Sequence, residues 1–415
     1  MEGQKDLIRI FPVAICVRAD VGSILSAMDR YDVAIIGGGG TGAAAAYDLT
    51  LRGLKVALFE RGELTSGTTG RHHGQLHSGA RYALGDTNIA RECMAETLIL
   101  RRIAHDSIEY NQGLFLALND EDCSLADSFV DACQSSGIPA REISIGQALS
   151  MEGRINPKAK KAVLVPDGTI DAYRLAMGFF ASAKVRGAKI HHFSELVGIE
   201  VVAGSVGPLL IHDLQNGAEY RIAADAVVNA SGPWSNRVAA LAGIDVPVTA
   251  AAGTMVAVEG RLTNMVISRL RHPGDGDIVV PQRRLSIIGS TQRKTDNPDG
   301  LLPEREEVAF LLAAADELVP GFSNQPLRAA WSAARPLAGR TSDDGRAISR
   351  DIAVFDHGRL DGVRGLFSII GGKATTLRIM GEKVSDAVAG YLGVSVACSS
   401  AEHALLPHSA YWRLQ

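Results

Sequence analysis

The stretch Tyr31-Asp-Val-Ala-Ile-Ile-Gly-Gly-Gly-Gly-Thr-Gly-Ala43 decides the fold of this chain. Residues 31–36 form an apolar run of strand length, and a glycine-rich turn follows it directly. The alanine-rich sequence at 43–52 predicts a helix, and 55–60 predicts a second buried strand. This order of strand, turn, helix and strand is typical of a βαβ unit that binds a dinucleotide.

The turn carries the spacing G-x-G-x-x-G in Gly37, Gly39 and Gly42. The first glycine permits the tight turn, the second lets a pyrophosphate approach the backbone, and the third brings helix and strand close together. The helix N-terminus then faces the phosphates. Glu60 ends the second strand, where a carboxylate can hold a ribose hydroxyl, and Thr41 lies inside the turn. Together these features predict a dinucleotide site.

Composition excludes several classes of function. The 415 residues carry 42 Lys and Arg against 46 Asp and Glu, so there is no broad basic surface for a nucleic-acid backbone. The five cysteines show no metal-ligand spacing, and their odd number argues against a disulfide framework. We therefore expect no metal site and a reducing, cytoplasmic setting. No run of eighteen apolar residues predicts a spanning helix, which leaves peripheral membrane attachment open.

The first thirty residues are expected to be an extension outside the fold. Their one apolar run, 10–17, is short and follows acidic residues, unlike a secretory signal. Dinucleotide-binding domains usually begin within a few residues of their first strand, so Met28 is the expected start of the native protein. Mass spectrometry of the native N-terminus tests this expectation.

Beyond the first unit the sequence predicts an interrupted α/β pattern. Five helices are expected, at 87–110, 126–136, 171–186 and 303–318 and, as the last element, after Lys373. Asp171 is expected to cap the third of them. Strands are expected at 113–118, 189–193, 209–212, 226–229, 285–290 and 366–370, with a strand-rich region at 258–281. No internal repeat or low-complexity tract occurs.

A polar loop rich in glycine and histidine follows the second strand. It runs from Thr65 to Tyr82 and contains His72, His73 and His77. A nicotinamide enzyme would ordinarily continue the α/β alternation here, whereas small residues let a backbone lie against a flat ring system. The loop therefore favours a flavin.

Further segments extend the pattern along the chain. They are Gly70-Arg-His-His-Gly-Gln-Leu-His-Ser-Gly-Ala-Arg-Tyr82, Val165-Pro-Asp-Gly-Thr-Ile-Asp171, Asn229-Ala-Ser-Gly-Pro-Trp234, Ser286-Ile-Ile-Gly-Ser-Thr291, Ser332-Ala-Ala-Arg-Pro-Leu337, Ile348-Ser-Arg350 and Gly371-Gly-Lys-Ala-Thr-Thr376. In this order they resemble the FAD-dependent glycerol-3-phosphate dehydrogenases, within the D-amino acid oxidase-like superfamily. The resemblance is strongest to the catalytic subunit of the anaerobic enzyme.

The resemblance implies an α/β fold with two domains. A Rossmann-type FAD-binding domain would comprise 31–83, 165–250 and 345–395, and a substrate domain with a mixed or antiparallel sheet would comprise 84–164 and 251–344, followed by a tail at 396–415. It also implies a set of FAD contacts. These are Gly37, Gly39, Thr41, Gly42, Glu60, Arg61, Thr69, Gly74, Gln75, Leu76, Ser231, Gly232, Gly371, Gly372, Lys373, Ala374 and Thr375.

By the same resemblance the substrate lies between the domains, in contact with Arg81, Tyr82, Arg335, Arg350 and Lys373. Oxidation of a secondary alcohol sends a hydride to the flavin while a base takes the hydroxyl proton. Guanidinium forks suit phosphate oxygens, so Arg81 and Arg335 are the expected clamp for a small phosphorylated alcohol. Lys373 could instead serve the flavin edge, and a surface ion pair is the ordinary alternative for each arginine.

A histidine is the expected catalytic base because its pKa near neutrality suits proton removal. His77 matches a histidine before the family's Arg-Tyr pair, while His72 and His73 lie closer to the expected ring position. A purely structural role for His77 stays open. The expected catalytic set is His77, Arg335 and Lys373.

Three departures from the family pattern bear on the substrate. Ala251-Ala-Gly-Thr254 stands where relatives have Lys-Gly-Ser, Leu377 replaces a tyrosine, and Trp331-Ser-Ala-Ala-Arg335 replaces Tyr-Ser-Gly-Val-Arg. One expected cation is thus lost, for which four residues could compensate: Arg271, His272, Arg283 or Arg284. Another polyol phosphate, a 2-hydroxy acid or an amine therefore stays open as substrate, as does a role as a non-catalytic flavin electron carrier.

The electrons are expected to pass to quinone, to a partner subunit or to oxygen. Anaerobic relatives carry a further C-terminal region with clustered cysteines, whereas this sequence has Cys398 alone beyond the catalytic core. Contact with the inner face of the cell membrane is implied by the family only, because no amphipathic basic helix stands out. The oligomeric state is left open.

Overall fold

The computed structural model describes residues 28–341 and 351–414. Within these ranges the chain forms an eight-stranded sheet, a nine-stranded sheet and a small three-stranded sheet. The expected extension at 1–27 and the candidate Arg350 lie outside the described residues.

The first, eight-stranded sheet has a parallel centre. In spatial order its parallel strands are Lys189–His192, Val56–Glu60, Asp29–Ile36, Glu219–Asn229 and Leu366–Gly371. Antiparallel strands complete it: Ser194–Val202, Ser205–Asp213 and Ile352–Asp356. The carboxyl ends of the parallel strands meet at one edge, so the glycine turn after Asp29–Ile36 and the glycine pair that ends Leu366–Gly371 come together there.

Close helix packing holds this edge in shape. Helix Gly40–Leu51 packs on helix Leu377–Leu392 above the first sheet. At their contact a Cβ added to Gly381 would lie 2.7 Å from the Cβ of Ala44, so only glycine permits this approach. Helix Ala172–Lys184 packs against the same core as a third helix. The side chain of Asp171 caps it by accepting a hydrogen bond from Arg174 N–H, as the sequence predicted.

The second, nine-stranded sheet is mainly antiparallel. Its strands are Gly113–Ala117, Arg141–Ile143, Lys161–Val165, Val248–Glu259, Val266–Arg269, Ile278–Gln282, Leu285–Gly289, Arg293–Thr295 and Leu327–Ala338. Helix Arg305–Leu318 covers one face with its buried leucines and alanines. The small sheet joins Gln75–Leu76, Gly168–Ile170 and Ile108–Glu109. The remaining helices are Thr87–Ile103, Asp120–Ser124, Ala126–Ser135, Ile145–Met151, Ser235–Ala240 and His357–Leu360.

One expected helix boundary was wrong, and one long strand had no counterpart in the expectations. The helix expected at 87–110 ends at Ile103, whose carbonyl accepts a hydrogen bond from Leu405 N–H, so a distant segment ends it. Strand Leu327–Ala338 was not expected, because its alanines and absence of β-branched residues favour a helix. It forms by pairing along its length with Val248–Glu259, a tertiary contact that overrides local preference.

A buried ion pair ties two helices that flank the first sheet. The side chains of Glu96 and Arg378 are each 3% exposed, and Arg378 Nε donates to Glu96 Oε2 at 2.9 Å. Burial raises the pKa of Glu96, and the hydrogen bonds and charge of Arg378 oppose this rise. Arg378 therefore provides the buried Glu96 carboxylate with its counter-charge.

We expect Arg378→Met to lower the free energy of unfolding by roughly 3–5 kcal/mol, because it leaves Glu96 buried without its counter-charge. Urea denaturation followed by circular dichroism measures the loss. Arg359→Met is the matched control, since the Arg359 side chain is 87% exposed and its ion pair contributes little. Equal denaturation midpoints for the two variants would contradict the assignment.

Candidate active site

A cavity of about 1150 Å³ lies where the two large sheets meet. Its wall brings together the glycine turn, the histidine-rich loop, three strands of the second sheet and the late glycine pair. Predicted site residues that line it are Gly37, Gly39, Thr41, Glu60, Arg61, Thr69, Gln75, His77, Arg81, Tyr82, Ser231, Gly232, Arg335, Gly371, Gly372, Lys373 and Ala374. Residues distant in sequence thus share one concave site.

The glycine turn shapes one end of the cavity. Gly37 has a φ of +113°, which L side chains rarely adopt, and a Cβ on Gly42 would lie 2.0 Å from the Gly37 carbonyl oxygen. Helix Gly40–Leu51 begins here with Gly39 at its N-cap and without a side-chain cap, while Gly40 N–H donates to Thr69 Oγ1 at 2.9 Å. Gly40 N–H is thus engaged by Thr69, and because glycine has no side chain to cap the helix, the other N–H groups of the first turn can serve an anion.

The carboxylate of Glu60 is held rigidly at the end of its strand. Its Oε2 accepts from Gly38 N–H at 2.6 Å, and its Oε1 accepts from Gly62 N–H at 2.8 Å. Each carboxylate oxygen keeps a further lone pair, so Glu60 can accept ribose hydroxyls in this orientation.

Next to Glu60 lies a charged cluster that sequence reasoning missed. Asp299, from the loop after Arg293–Thr295, accepts from Arg61, Trp234 Nε1 and Arg237. Burial raises the pKa of Asp299, but these three hydrogen bonds outweigh it and the pKa is lowered. Arg61 therefore lines the cavity with its guanidinium already bound and lying 4.7 Å from the Trp234 ring. The sequence signal was the turn Asn-Pro-Asp-Gly that contains Asp299.

The histidine-rich loop is tied to the late glycine segment. His77 N–H donates to Thr375 Oγ1 at 3.3 Å, and the His77 carbonyl accepts from Thr97 Oγ1 at 3.1 Å. The His77 ring lies 5.4 Å from the Tyr82 ring, and Lys373 Nζ lies 5.0 Å from the centre of that ring. Three of the predicted residues thus form one connected group.

A buried acid beneath the loop was also missed. Asp167 accepts from Ser78 N–H and Ser78 Oγ at 2.7 Å each and from Gln75 Nε2 at 2.8 Å. Burial raises its pKa, and the hydrogen bonds from Ser78 and Gln75 oppose the rise. The amide of Gln75 is therefore committed to the protein, and Asp167 fixes the loop that carries His77.

His72 and His73 each accept a hydrogen bond from the backbone of their own loop. Gly74 N–H donates to His72 Nδ1 at 2.9 Å, and Gln75 N–H donates to His73 Nδ1 at 3.2 Å. Desolvation lowers the pKa of His72 to about 4, and desolvation with the charges of His72, Arg335 and Arg81 lowers that of His73 well below its usual value. Both rings are then neutral with the proton on Nε2, which leaves neither with a lone pair for a substrate proton.

Arg81 and Arg335 approach the cavity from different walls. Arg81 Nη2 donates to Asp277 Oδ2 and to the Gly274 carbonyl, both at 2.8 Å. Arg335 bonds to Ser290 Oγ and, from both Nη1 and Nη2 at 3.3 Å, to the Thr291 carbonyl. The two guanidiniums give the site the cationic walls that an anion requires.

Four predicted FAD contacts do not line the cavity. Gly42 spaces the helix, Leu76 is fully buried in the core, and Thr375 is fully buried behind the His77 backbone. Gly74 lies against Gln282, whose Nε2 would be 1.9 Å from an added Cβ. These residues support the wall from behind.

None of the four cations named as compensation lines the cavity. Arg271 is bound to Asp277, Arg283 pairs with Asp171, and His272 and Arg284 are exposed: the compensation hypothesis was wrong. The altered Ala251–Thr254 segment has a different effect. A Cβ on Gly253 would lie 2.6 Å from Arg335 Nη2, so Gly253 makes room for the guanidinium.

The donor set fits a dinucleotide with a flat ring. The helix N-terminus and the glycine cradle suit a pyrophosphate, Glu60 suits a ribose, and the cavity continues past both to the cationic residues. FAD carries these groups, and its ring system would be held in the part of the cavity that Lys373 and Arg335 line. Fold and site together define a flavin-dependent oxidoreductase.

The chain belongs to the family described as FAD dependent oxidoreductase (DAO), which matches residues 32–386. It is 40% identical over 377 residues to a subunit of the anaerobic glycerol-3-phosphate dehydrogenase of Escherichia coli, covering 90% of this chain and 70% of that protein. The corresponding protein of Haloferax volcanii is 38% identical over 386 residues, 90% of this chain and 66% of that one. The predicted family, fold class and FAD cofactor are confirmed.

Solved structures agree on the fold. Glycine oxidase of Geobacillus kaustophilus is 25% identical with a TM-score of 0.71, covering 91% of this chain and 99% of that chain. Glycerol-3-phosphate dehydrogenase of Bacillus halodurans, solved with FAD, is 22% identical with a TM-score of 0.69, covering 95% and 72%.

Residues 28–341 and 351–414 contain no group of His, Cys, Asp and Glu arranged to hold a metal. None of their helices has both the length and the hydrophobicity needed to cross a bilayer.

Proposed function

We propose that this protein oxidises sn-glycerol 3-phosphate to dihydroxyacetone phosphate and passes the electrons to quinone or to a partner subunit. The observation that carries the proposal is the meeting of Arg81, Arg335 and Lys373 in the one cavity that begins at the glycine turn. The relatives named glycerol-3-phosphate dehydrogenase, at up to 40% identity, support it.

The proposed domain division follows the two sheets. Strands of the first sheet fall in 31–83, 165–250 and 345–395, apart from two residues at the start of Asp29–Ile36. Those of the second fall in 84–164 and 251–344, apart from Val165 at the end of Lys161–Val165 and three residues at the start of Val248–Glu259. The substrate then binds between an FAD-binding domain and a substrate domain.

The two arginines orient the substrate. Phosphate oxygens accept from Arg81 and Arg335, which fixes the distance of the C2 carbinol from the phosphate end. The two guanidiniums approach from different walls, so the phosphate binds in a single orientation. The C2 carbinol is then held at a single position. Lys373 adds a third positive charge near the Tyr82 ring, where it stabilises negative charge that develops on the C2 oxygen.

Chemistry at C2 needs a proton acceptor. Bound FAD would supply the acceptor for the hydride, which leaves C2 with the electron pair of the C2–H bond. The hydroxyl proton passes to the His77 ring, because in His72 and His73 one ring nitrogen accepts from the backbone and the other carries a proton. Asp167, by holding Ser78, keeps His77 at the position where it can receive that proton.

We expect His77→Ala to lower kcat by roughly 10²–10⁴-fold while FAD stays bound, since it removes the base and leaves the glycine cradle intact. Anaerobic stopped-flow reduction of the bound flavin measures the rate, and the 450 nm absorbance per protein measures FAD content. His403→Ala, at an exposed site in the C-terminal segment, is the matched control. Unchanged turnover in His77→Ala would remove this residue from the mechanism.

Flavin bleaching tests the substrate. The purified holoenzyme is mixed, without oxygen, with sn-glycerol 3-phosphate, erythritol phosphates, 2-hydroxy acids or amino acids including glycine. Bleaching by glycerol 3-phosphate alone, or far faster than by the others, supports the proposal. Faster bleaching by another phosphorylated polyol, a hydroxy acid or an amine overturns it in favour of that substrate. No bleaching by any compound favours a role as an electron carrier.

For the electron acceptor we propose a partner subunit on the cytoplasmic side of the membrane. The Escherichia coli and Haloferax volcanii relatives are both named as subunits, which implies an assembly in those organisms and supports a partner here. The test is to purify the tagged chain from its native cells together with any bound partner proteins. Removal of those partners is expected to abolish reoxidation of the reduced flavin.

A further inference from the structure

We infer that Asp277 is a positioning residue that sets the Arg81 guanidinium for the substrate's phosphate group. The inference rests on the proposed function, because it takes a phosphorylated anion as the ligand of Arg81. Asp277 contacts neither the cavity nor the reacting atoms, since its side chain is 0% exposed and it is absent from the cavity lining.

Arg81 is held on one side only. Its Nη2 has two acceptors, Asp277 Oδ2 and the Gly274 carbonyl, each at 2.8 Å. Its Nη1 is buried and, among the described residues, has no hydrogen-bond partner. Since the guanidinium is planar, fixing Nη2 by two acceptors also fixes the direction in which the Nη1 hydrogens point. A buried donor without an acceptor is costly, so the arrangement awaits an anion.

Asp277 in turn is fully engaged. Its Oδ2 accepts from Gly274 N–H at 2.6 Å and from Arg81, and its Oδ1 accepts from Arg271 Nε at 2.7 Å. A second contact joins Arg271 Nη2 to the same Oδ1. One carboxylate therefore serves two guanidiniums, and the trio keeps a net positive charge. The position of Asp277 is set by the short loop between strands Val266–Arg269 and Ile278–Gln282.

The two arginines face different spaces. Arg81 lines the main cavity, whereas Arg271 lines a smaller outer pocket of about 380 Å³ together with His272 and Phe310. Asp277 lies between the two spaces, behind their linings, and holds one arginine on each side. Substitution of Arg271 therefore tests whether the loop that carries Asp277 keeps its conformation. Substitution of Asp277 tests whether the Arg81 guanidinium keeps its orientation.

A double-mutant cycle separates positioning from folding. The variants are Asp277→Asn, Arg81→Met and the pair, each as FAD holoenzyme. The readouts are the Kd of inorganic phosphate, from the shift of the flavin absorbance, and KM and kcat for anaerobic flavin reduction. We expect Asp277→Asn to raise the phosphate Kd and the KM by about 10-fold, with kcat within about 3-fold, because orientation of a phosphate contact acts on binding. In the Arg81→Met background the same change is expected to alter Kd by less than about 2-fold.

Arg271→Gln is the matched control, because it removes the other guanidinium from the same carboxylate and leaves Arg81 bound to Asp277. We expect its phosphate Kd to stay within about 3-fold of wild type. An equal loss in Arg271→Gln, or an undiminished effect of Asp277→Asn without Arg81, would show that Asp277 only folds the loop. If Asp277→Asn loses its flavin, Asp277→Glu takes its place, since it keeps the charge and moves the carboxylate by one methylene.

The cycle and the proposed function fail separately. Coupled phosphate binding without flavin reduction by any phosphorylated alcohol would overturn the proposed function and leave Asp277 in its role. Flavin reduction by glycerol 3-phosphate without coupling between Asp277 and Arg81 would support the proposed function and overturn the positioning role of Asp277.

Discussion

Gly42→Ala is expected to abolish FAD binding. The added Cβ would lie 2.0 Å from the Gly37 carbonyl oxygen, whereas an ordinary contact needs about 3.5 Å, so helix and turn must separate by about 1.5 Å. That shift moves the backbone N–H groups at the helix N-terminus away from the pyrophosphate. We expect the flavin content to fall below about one-tenth of the wild-type value. Each loss of about 1.4 kcal/mol in binding free energy raises the Kd for FAD tenfold.

Flavin content is measured as the ratio of 450 nm to 280 nm absorbance after gel filtration, with circular dichroism to report folding. The matched control is Gly390→Ala. Gly390 lies in helix Leu377–Leu392, is exposed, and has no atom within 4 Å of an added Cβ, so alanine should be neutral or slightly stabilising there. Full flavin content in Gly42→Ala would show that the turn tolerates a wider spacing and does not cradle the pyrophosphate.

Arg335→Leu is expected to lower kcat/KM by roughly 10²–10³-fold, the usual loss when a charged donor to the reacting ligand is removed. Arg335 is anchored by Ser290 and the Thr291 carbonyl, so its loss removes a preorganised contact rather than a mobile side chain. Arg335→Lys should lie between wild type and Arg335→Leu, since it keeps the charge and loses the planar fork.

Arg328→Leu controls for the same substitution on the same strand. Arg328 pairs with Glu259 at the surface, with side chains 52% and 50% exposed, and should leave kcat/KM unchanged. The measurement is the rate of anaerobic flavin reduction against glycerol 3-phosphate concentration. If Arg335→Leu stayed within about tenfold of wild type while retaining FAD, Arg335 would have to be removed from the substrate clamp.

The dinucleotide end of the site could be read from sequence because its determinants are local. Gly37, Gly39 and Gly42 lie within six residues of one another and between a strand and a helix, and Glu60 ends the next strand. Their roles follow from backbone geometry alone. Arg335 and Lys373 could be named only through their motif context, since an isolated arginine or lysine carries no comparable signal.

The supporting residues could not be predicted because their roles depend on contacts between distant segments. Asp277 meets Arg81, and Asp299 meets Arg61, across separations of 196 and 238 residues. Asp167 meets Ser78 in the same way, across 89 residues. Aspartates in polar turns read as ordinary surface residues in a sequence. The fold is needed to show that these carboxylates stand behind the cavity wall.

The order of segments in the first sheet has a consequence for biosynthesis. Asp29–Ile36 is synthesised about 330 residues before Leu366–Gly371, yet both strands border the same cavity. A nascent chain that contains only the glycine turn lacks the cavity wall that the later glycine pair forms. Cofactor capture is therefore expected only after Leu366–Gly371 has been synthesised, and a cell short of riboflavin would accumulate polypeptide without bound flavin.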